Sequence, residues 1–408
     1  MIKVSNLRKE RLPESGECRI VCDIDCPFSK SKQLWFSVPE QYGDWLTDDV
    51  YDAFLVAMLF PAMSYGEDIS IEGCVSEKLY DNITHYVQPC EIAFLPELHV
   101  VNVEVSGFSR AAKTNNLVGT GFSAGIDAFS TVYDRFVKEE KPDYKLSALF
   151  FFNVGSHGGG TEKARRKFHT RYDALLPCAR ELNLPLVPMD SNLFDYYQYE
   201  WEYNAGMLCR ATGILVFEKV LDKYYTAYDY SYWEITHLTK LDYGSVTDLC
   251  NEMMLGTETL EVISDGAQYR RSDKIRRLLD YPMIRKHLNV CVGDISTADN
   301  CSVCHKCNRT LLAFEIFGCI DEFSEIFDLE KYYPQSYAFK CYTVLHRKSD
   351  IYANDNYLLA KKMNFPLPSY PIAWLHQSPH IIMAAIKKVA KWILRRNTTV
   401  SSPYPTVR

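Results

Sequence analysis

The sequence predicts an α/β protein: a core of parallel strands alternating with helices, preceded by a smaller α+β region and followed by helices. Three observations predict it. From about residue 113 the text alternates between strand and helix: LVGTGF, a helix over 126–138, LSALFFFNV, a helix over 161–182, then LPLVPMD. The strands LSALFFFNV (146–154) and LPLVPM (184–189) are apolar without interruption, as strands covered on both faces are. Repeated strand–helix–strand units lay their strands side by side in parallel, with the helices as crossovers.

The flanking regions read differently. Residues 1–112 mix short alternating strands with helices: ECRIVCDID (17–25), LWFSV (34–38), DISIEG (68–73) and HVVNVEV (99–105) as strands, VYDAFLVAMLFPAM (50–63) and SEKLYDNITHYV (76–87) as helices. This predicts an N-terminal α+β domain over 1–112 and a nucleotide-binding domain over 113–320. Within the latter, 205–223 and 245–256 read as helical and ETLEVISDG (258–266) as a strand. A helical extension follows over 321–408, broken by FPLPSYP and ending in IIMAAIKKVAKWILRR, apolar on one face and basic on the other. That last helix reads as packed on its own domain with its charges in water.

Bulk composition narrows the function classes. The chain has 408 residues, 47% hydrophobic, enough for two or three cores. Its net charge of -7 argues against a dedicated nucleic-acid binder, which needs clustered Lys and Arg, although a local basic patch leaves nucleic acid open. The opening MIKVSNLRKERLPESGE is polar, so no secretory leader is expected, and no apolar run approaches the roughly 20 residues of a membrane span. A cytoplasmic protein without a membrane span is expected, with free or metal-bound cysteines.

The strongest signal is CVGDISTADNCSVCHKC, which places Cys291, Cys301, Cys304 and Cys307 at C-x9-C-x2-C-x2-C. The tight turn converges three thiolates, and a fourth from ten residues earlier closes a tetrahedron, the preference of structural Zn²⁺. An iron–sulfur cluster is the rival occupant, and His305 is a spare ligand. Cys18, Cys22 and Cys26 lie in strand-like text and read as small packed apolar residues.

LVGTGFSAGIDAFS (117–130) is a glycine turn between a strand and a helix, a place where backbone N–H groups can cradle phosphate. Gly119, Gly121 and Ala124 satisfy a loose dinucleotide pattern, but the next strand ends in Asn153 with no carboxylate to hold a ribose. No Walker P-loop occurs. The segment Ser123-Ala124-Gly125-Ile126-Asp127 instead resembles the S-G-G-x-D-[ST] loop of the PP-loop ATP pyrophosphatases. It departs from that pattern at Ala124, in place of the second glycine, and at Ala128, in place of the closing hydroxyl, with Ser130 and Thr131 close behind. With the cysteine spacing, the resemblance over about 115–320 is to the branch similar to 7-cyano-7-deazaguanine synthase.

That resemblance implies a HUP-type parallel-sheet core binding ATP and Mg²⁺ beside a Zn²⁺ site. It implies that Ser123, Ala124, Gly125 and Ile126 wrap the phosphates, that Asp127 holds Mg²⁺, and that Asn153 and Val154 lie by the adenine. It further implies that Lys274, helped by Arg271 in SDGAQYRRSDKIRRLL, meets the phosphates, with Ser272 or Asp273 capping that helix. The activity implied is that of an ATP-dependent, AMP-forming ligase acting on a small-molecule or protein acceptor. Alternatives are a tRNA-thiolating enzyme, with Cys178 or Cys209 as sulfur carrier, and a degenerate subunit that binds without turnover. A partner protein of the same pathway and a homodimer are left open.

Overall fold

The computed structural model describes residues 1–155, 157, 161–198, 205–235, 248–249, 251–291 and 299–378. The basic segment 381–396 lies outside these, as do residues 245–247 and 250 of the segment 245–256. Chain contacts divide the protein into two compact units, 1–269 with 295–298, and 270–294 with 299–408. The three-part division read from the sequence, at 112 and 320, does not coincide with this one.

The first unit is built on one sheet of ten strands among the described residues. They are β1 (Ile2–Leu12), β2 (Glu17–Asp25), β3 (Gln33–Pro39), β4 (Ile69–Val75), β5 (Val103–Phe108), β6 (Leu117–Gly121), β7 (Ala148–Phe152), β8 (Leu186–Ser191), β9 (Leu221–Ala227) and β10 (Glu261–Asp265). Their order across the sheet is β10-β9-β6-β7-β8-β3-β2-β1-β4-β5. Pairing is parallel from β10 to β8 and antiparallel from β8 to β1. It is parallel again through β4 and β5. The α/β class with a mostly parallel sheet is therefore as expected.

The parallel half is doubly wound. The chain runs outward from β6 through β7 to β8, then returns to the other side of β6 for β9 and β10. The reversal falls between β6 and β9, a topological switch point, and open α/β sheets bind ligands outside the carboxyl ends of the strands there. The glycine turn starts at that end of β6. Its first glycine serves packing: a Cβ on Gly119 would lie 2.7 Å from the Phe150 ring and 2.9 Å from Leu221.

Two strands escaped the sequence reading. β1 reads as polar because many of its outer residues are charged, yet those charges pair, Glu10 meeting Arg19 of β2 at 2.7 Å and Arg8 of its own strand at 2.8 Å. Its inner residues Ile2 and Val4 are buried. β9 lies in text read as helical to residue 223. The helix stops at Leu215. Beyond it, Tyr224 and Tyr225 pair with Gly119 and Thr120 of β6. The helix Asp52–Tyr65 is apolar all round because residues 52–63 are all buried. It ends on Gly66 at φ 65°, a left-handed C-terminal cap. Cys18, Cys22 and Cys26 are buried as expected, the first two in β2 and Cys26 just past its end.

The second unit contains the helices Arg271–Leu278, Met283–His287, His305–Phe317, Leu329–His346 and Ile351–Lys362. The last three pack on one another, and Ile351–Lys362 also packs on Arg271–Leu278. No described helix is long and apolar enough to cross a membrane.

Candidate nucleotide site and metal centre

The turn leaving β6 is built from the inside out. Phe122 is buried edge-on to Phe129 at 5.3 Å, and its N–H donates to the Phe150 carbonyl at 2.9 Å. The chain then reverses at Ala124, which is buried at φ 55°, a left-handed conformation that disfavours a Cβ. Gly125 is the N-cap of the helix Ile126–Val132, with its N–H on the Ser123 hydroxyl at 3.4 Å. Ser123 is exposed and Asp127, in the first helical turn, is half-buried.

The helix after the turn is pinned to the far side of the switch point. Thr131 Oγ1 donates to Asp265 Oδ2 at 2.9 Å, and Arg135 donates to Asp265 Oδ1 at 2.6 and 2.8 Å. Asp265 ends β10 and is buried, and Arg135 also lies 4.6 Å from the Tyr225 ring centre. This corrects one expectation: Thr131 does not replace the hydroxyl missing at Ala128, because its own is committed to Asp265. Ser130 and Ala128 are buried on the same helix. The Thr131–Arg135–Asp265 lock had no signal in the sequence, since its halves are more than a hundred residues apart.

Asn153 and Val154 leave the carboxyl end of β7, the strand next to β6, so both predicted nucleotide segments share one sheet edge. Both are buried. Asn153 Nδ2 donates to Asp190 Oδ1 at 2.6 Å, and its carbonyl accepts from the Ser191 hydroxyl at 2.8 Å. Arg165 reaches Asp190 at 3.1 Å and stands 5.1 Å from the Trp35 ring centre. Beyond β8, a cleft of about 710 Å³ opens on residues that include Lys3, Arg19, Lys32, Trp35, Asn192 and Asp195. His157 does not sit in solvent. It is buried with its ring 5.1 Å from Phe151 and 5.4 Å from Phe168, and burial, with Arg171 and Lys167 nearby, lowers its pKa to about 3.

Lys274 and Arg271 belong to the second unit. The helix Arg271–Leu278 is not an exposed basic face throughout: Lys274 is 1% and Arg271 6% exposed, while Arg276 is exposed. The expected cap is corrected as well. Arg270 is the N-cap and makes no side-chain cap bond, whereas Ser272 donates its N–H and hydroxyl to Asp355, each at 2.7 Å. Asp355 is buried, and that burial raises its pKa.

In the same unit the four sulfurs of Cys291, Cys301, Cys304 and Cys307 lie within 4.8 Å of one another. Three of the separations are 3.9, 3.9 and 3.5 Å. A tetrahedral ion with bonds of about 2.3 Å spaces its sulfurs about 3.8 Å apart, so this set fits one Zn²⁺. A cubane, whose irons each take a separate thiolate, needs them farther apart. Backbone N–H groups of Cys304 and Cys307 donate to the Cys301 and Cys304 sulfurs at 3.2 and 3.4 Å. His305 is not a fifth ligand: it packs against Phe339 and Tyr342 and lies 3.7 Å from Asp350.

The α/β chain thus carries a small-residue turn at the switch point of its sheet in one unit and four cysteines close enough to hold a metal ion in the other. Comparison with family models, with characterised proteins and with solved structures finds no match to this chain.

Proposed function

We propose that the chain is an ATP-dependent, AMP-forming ligase of the PP-loop kind, similar in plan to 7-cyano-7-deazaguanine synthase. The observation that carries this reading is the position of Ser123–Asp127: a small-residue turn with an acidic residue in the following helical turn, at the switch point of a doubly wound sheet. The N–H groups and the Ser123 hydroxyl of this turn bind the phosphates of ATP, and Asn153 and Val154 border the base. Asp127 would hold Mg²⁺, which would supply positive charge against the pyrophosphate. Lys274 and Arg271, buried cations of the second unit, are read as phosphate-binding residues. An acceptor carboxylate oxygen attacks the α-phosphorus, breaking the bond to pyrophosphate. An amine then attacks the acyl carbon, loses a proton, and AMP leaves with the electron pair of the C–O bond. The cleft beyond β8, on the same sheet edge, offers space for the acceptor. The cysteine cluster holds structural Zn²⁺.

The test is release of AMP and pyrophosphate from Mg-ATP with a panel of carboxylic acids. Asp127→Asn is expected to abolish it. Undiminished release by that variant sinks the reading. A second reading, a degenerate PP-loop fold kept as a binding or assembly subunit, draws support from Ala128 and the committed Thr131 hydroxyl. It predicts no ATP binding in calorimetry. The thiolation reading lacks support, because Cys178 and Cys209 are core residues and burial pushes the Cys178 thiol up to about 12.

A further inference from the structure

The helix His305–Phe317 begins inside the metal centre. Cys304 caps it, Cys307 sits in its first turn, and Arg309 follows two residues later. Arg309 is 8% exposed, and its guanidinium carbon stands 3.6 Å from the centre of the Tyr352 ring. The Arg271 guanidinium stands 5.9 Å from the same ring. Tyr352, Asp355 and Asn356 share one face of the helix Ile351–Lys362. Asp355 anchors the helix of Lys274 through Ser272, and Asn356 Nδ2 donates to the Arg309 carbonyl at 2.9 Å. One helical face therefore gathers two buried guanidiniums, Arg271 and Arg309, on Tyr352 and anchors through Ser272 the helix that carries the buried Lys274.

We propose that Arg309 is a third cation of the phosphate-binding group formed by Arg271 and Lys274, and that the four-cysteine metal centre is what places it there. This rests on the reading that Lys274 and Arg271 meet phosphate. A guanidinium that stacks by its face keeps its N–H groups in the plane for paired bonds to phosphate oxygens. Burial strengthens those bonds by lowering the local dielectric. The bound ion fixes Cys304 and Cys307, hence the first helical turn and the direction in which Arg309 leaves it. Among the described residues, this gives the metal centre a definite mechanical task.

The experiment titrates inorganic pyrophosphate with Mg²⁺ into full-length protein by calorimetry, with metal content measured on each sample. Wild type, Arg309→Ala, Arg309→Lys, Lys274→Ala and chelator-stripped wild type are compared. Arg309→Ala is expected to keep one metal per chain and bind pyrophosphate about tenfold more weakly or worse, a loss of about 1.4 kcal/mol or more. Arg309→Lys recovers only part, since an ammonium lacks the planar fork. Stripped wild type shows the loss of Arg309→Ala, and stripping that variant adds little. Wild-type affinity in Arg309→Ala, with affinity lost in Lys274→Ala, overturns the inference while the functional reading stands. Full affinity in stripped wild type overturns the role given to the metal. No pyrophosphate binding by wild type overturns both the inference and the reading beneath it.

Discussion

Acidification should destabilise the first unit through His157, and the size follows from where the ring sits. His157 is wedged against Phe151 and Phe168 and titrates near 3, against an ordinary value of 6.5, because burial penalises its cation. The folded pKa lies below the unfolded one, so the unfolded chain takes up the proton first. The contribution of neutral His157 is full above pH 6.5 and is lost as pH falls toward 3. Well inside that window each pH unit is worth about 1.4 kcal/mol, and the loss between pH 6.5 and 4.5 comes to about 2 kcal/mol. The perturbation is His157→Phe, which keeps a ring in the aromatic slot and removes the titration. Urea unfolding of wild type and variant at a series of pH values gives the difference curve, from which carboxylates common to both cancel. The variant should gain on wild type steadily below pH 6.5. Parallel curves from pH 7 to 4.5 would refute the reasoning, as would a His157 proton resonance titrating near 6.5.

Two further outcomes follow from local geometry. Ala124 sits buried at φ 55°. Ala124→Gly relieves about 1 kcal/mol of strain but frees the unfolded chain by a similar amount, leaving stability within about 0.5 kcal/mol, whereas Ala124→Val costs about 2 kcal/mol or more; equal melting temperatures for the two variants would contradict this. Asp52 is buried and accepts from the Ser76 N–H and hydroxyl at 2.8 and 2.5 Å, and burial and then neighbouring Glu218 push its pKa well up. Its contribution is therefore present at acidic pH and lost as pH rises through the raised value, so Asp52→Asn should gain stability relative to wild type with each step upward from pH 5. A gap between the two that does not change with pH is the outcome against it.

What the sequence made legible is what was local in it. The cysteines needed only a spacing rule, because three ligands share one turn and the fourth lies close by. β7 and β8 announced themselves because strands covered on both faces have no polar alternation to lose. β1 was hidden by its own charged residues, Arg8, Glu10 and Arg11 among them, which pair in the folded protein. β9 was hidden because LDKYYTA has neither a clean alternation nor an apolar run, and it becomes a strand by pairing beside β6. The glycine turn was legible as a turn, but Gly119 proved to make room for Phe150. Nothing local pointed to Asp265 as the partner of Thr131 and Arg135, or to Tyr352 as the ring shared by Arg271 and Arg309. Such pairings exist only once the chain has closed on itself.

The junction between β8 and β3 bears on how the protein can be cut. It consists of the pairs Phe36 with Ser191 and Ser37 with Asp190, the last being the residue that holds Asn153. Residues 113–320 expressed alone would carry β8 as a bare edge, with unpaired backbone groups and Val187 and Met189 beside them, a template for adding strands from other molecules. The N-terminal strands thus shield the parallel half of the sheet from self-association. A shortened version that stays soluble would need a charge or a proline engineered into β8 to do the same.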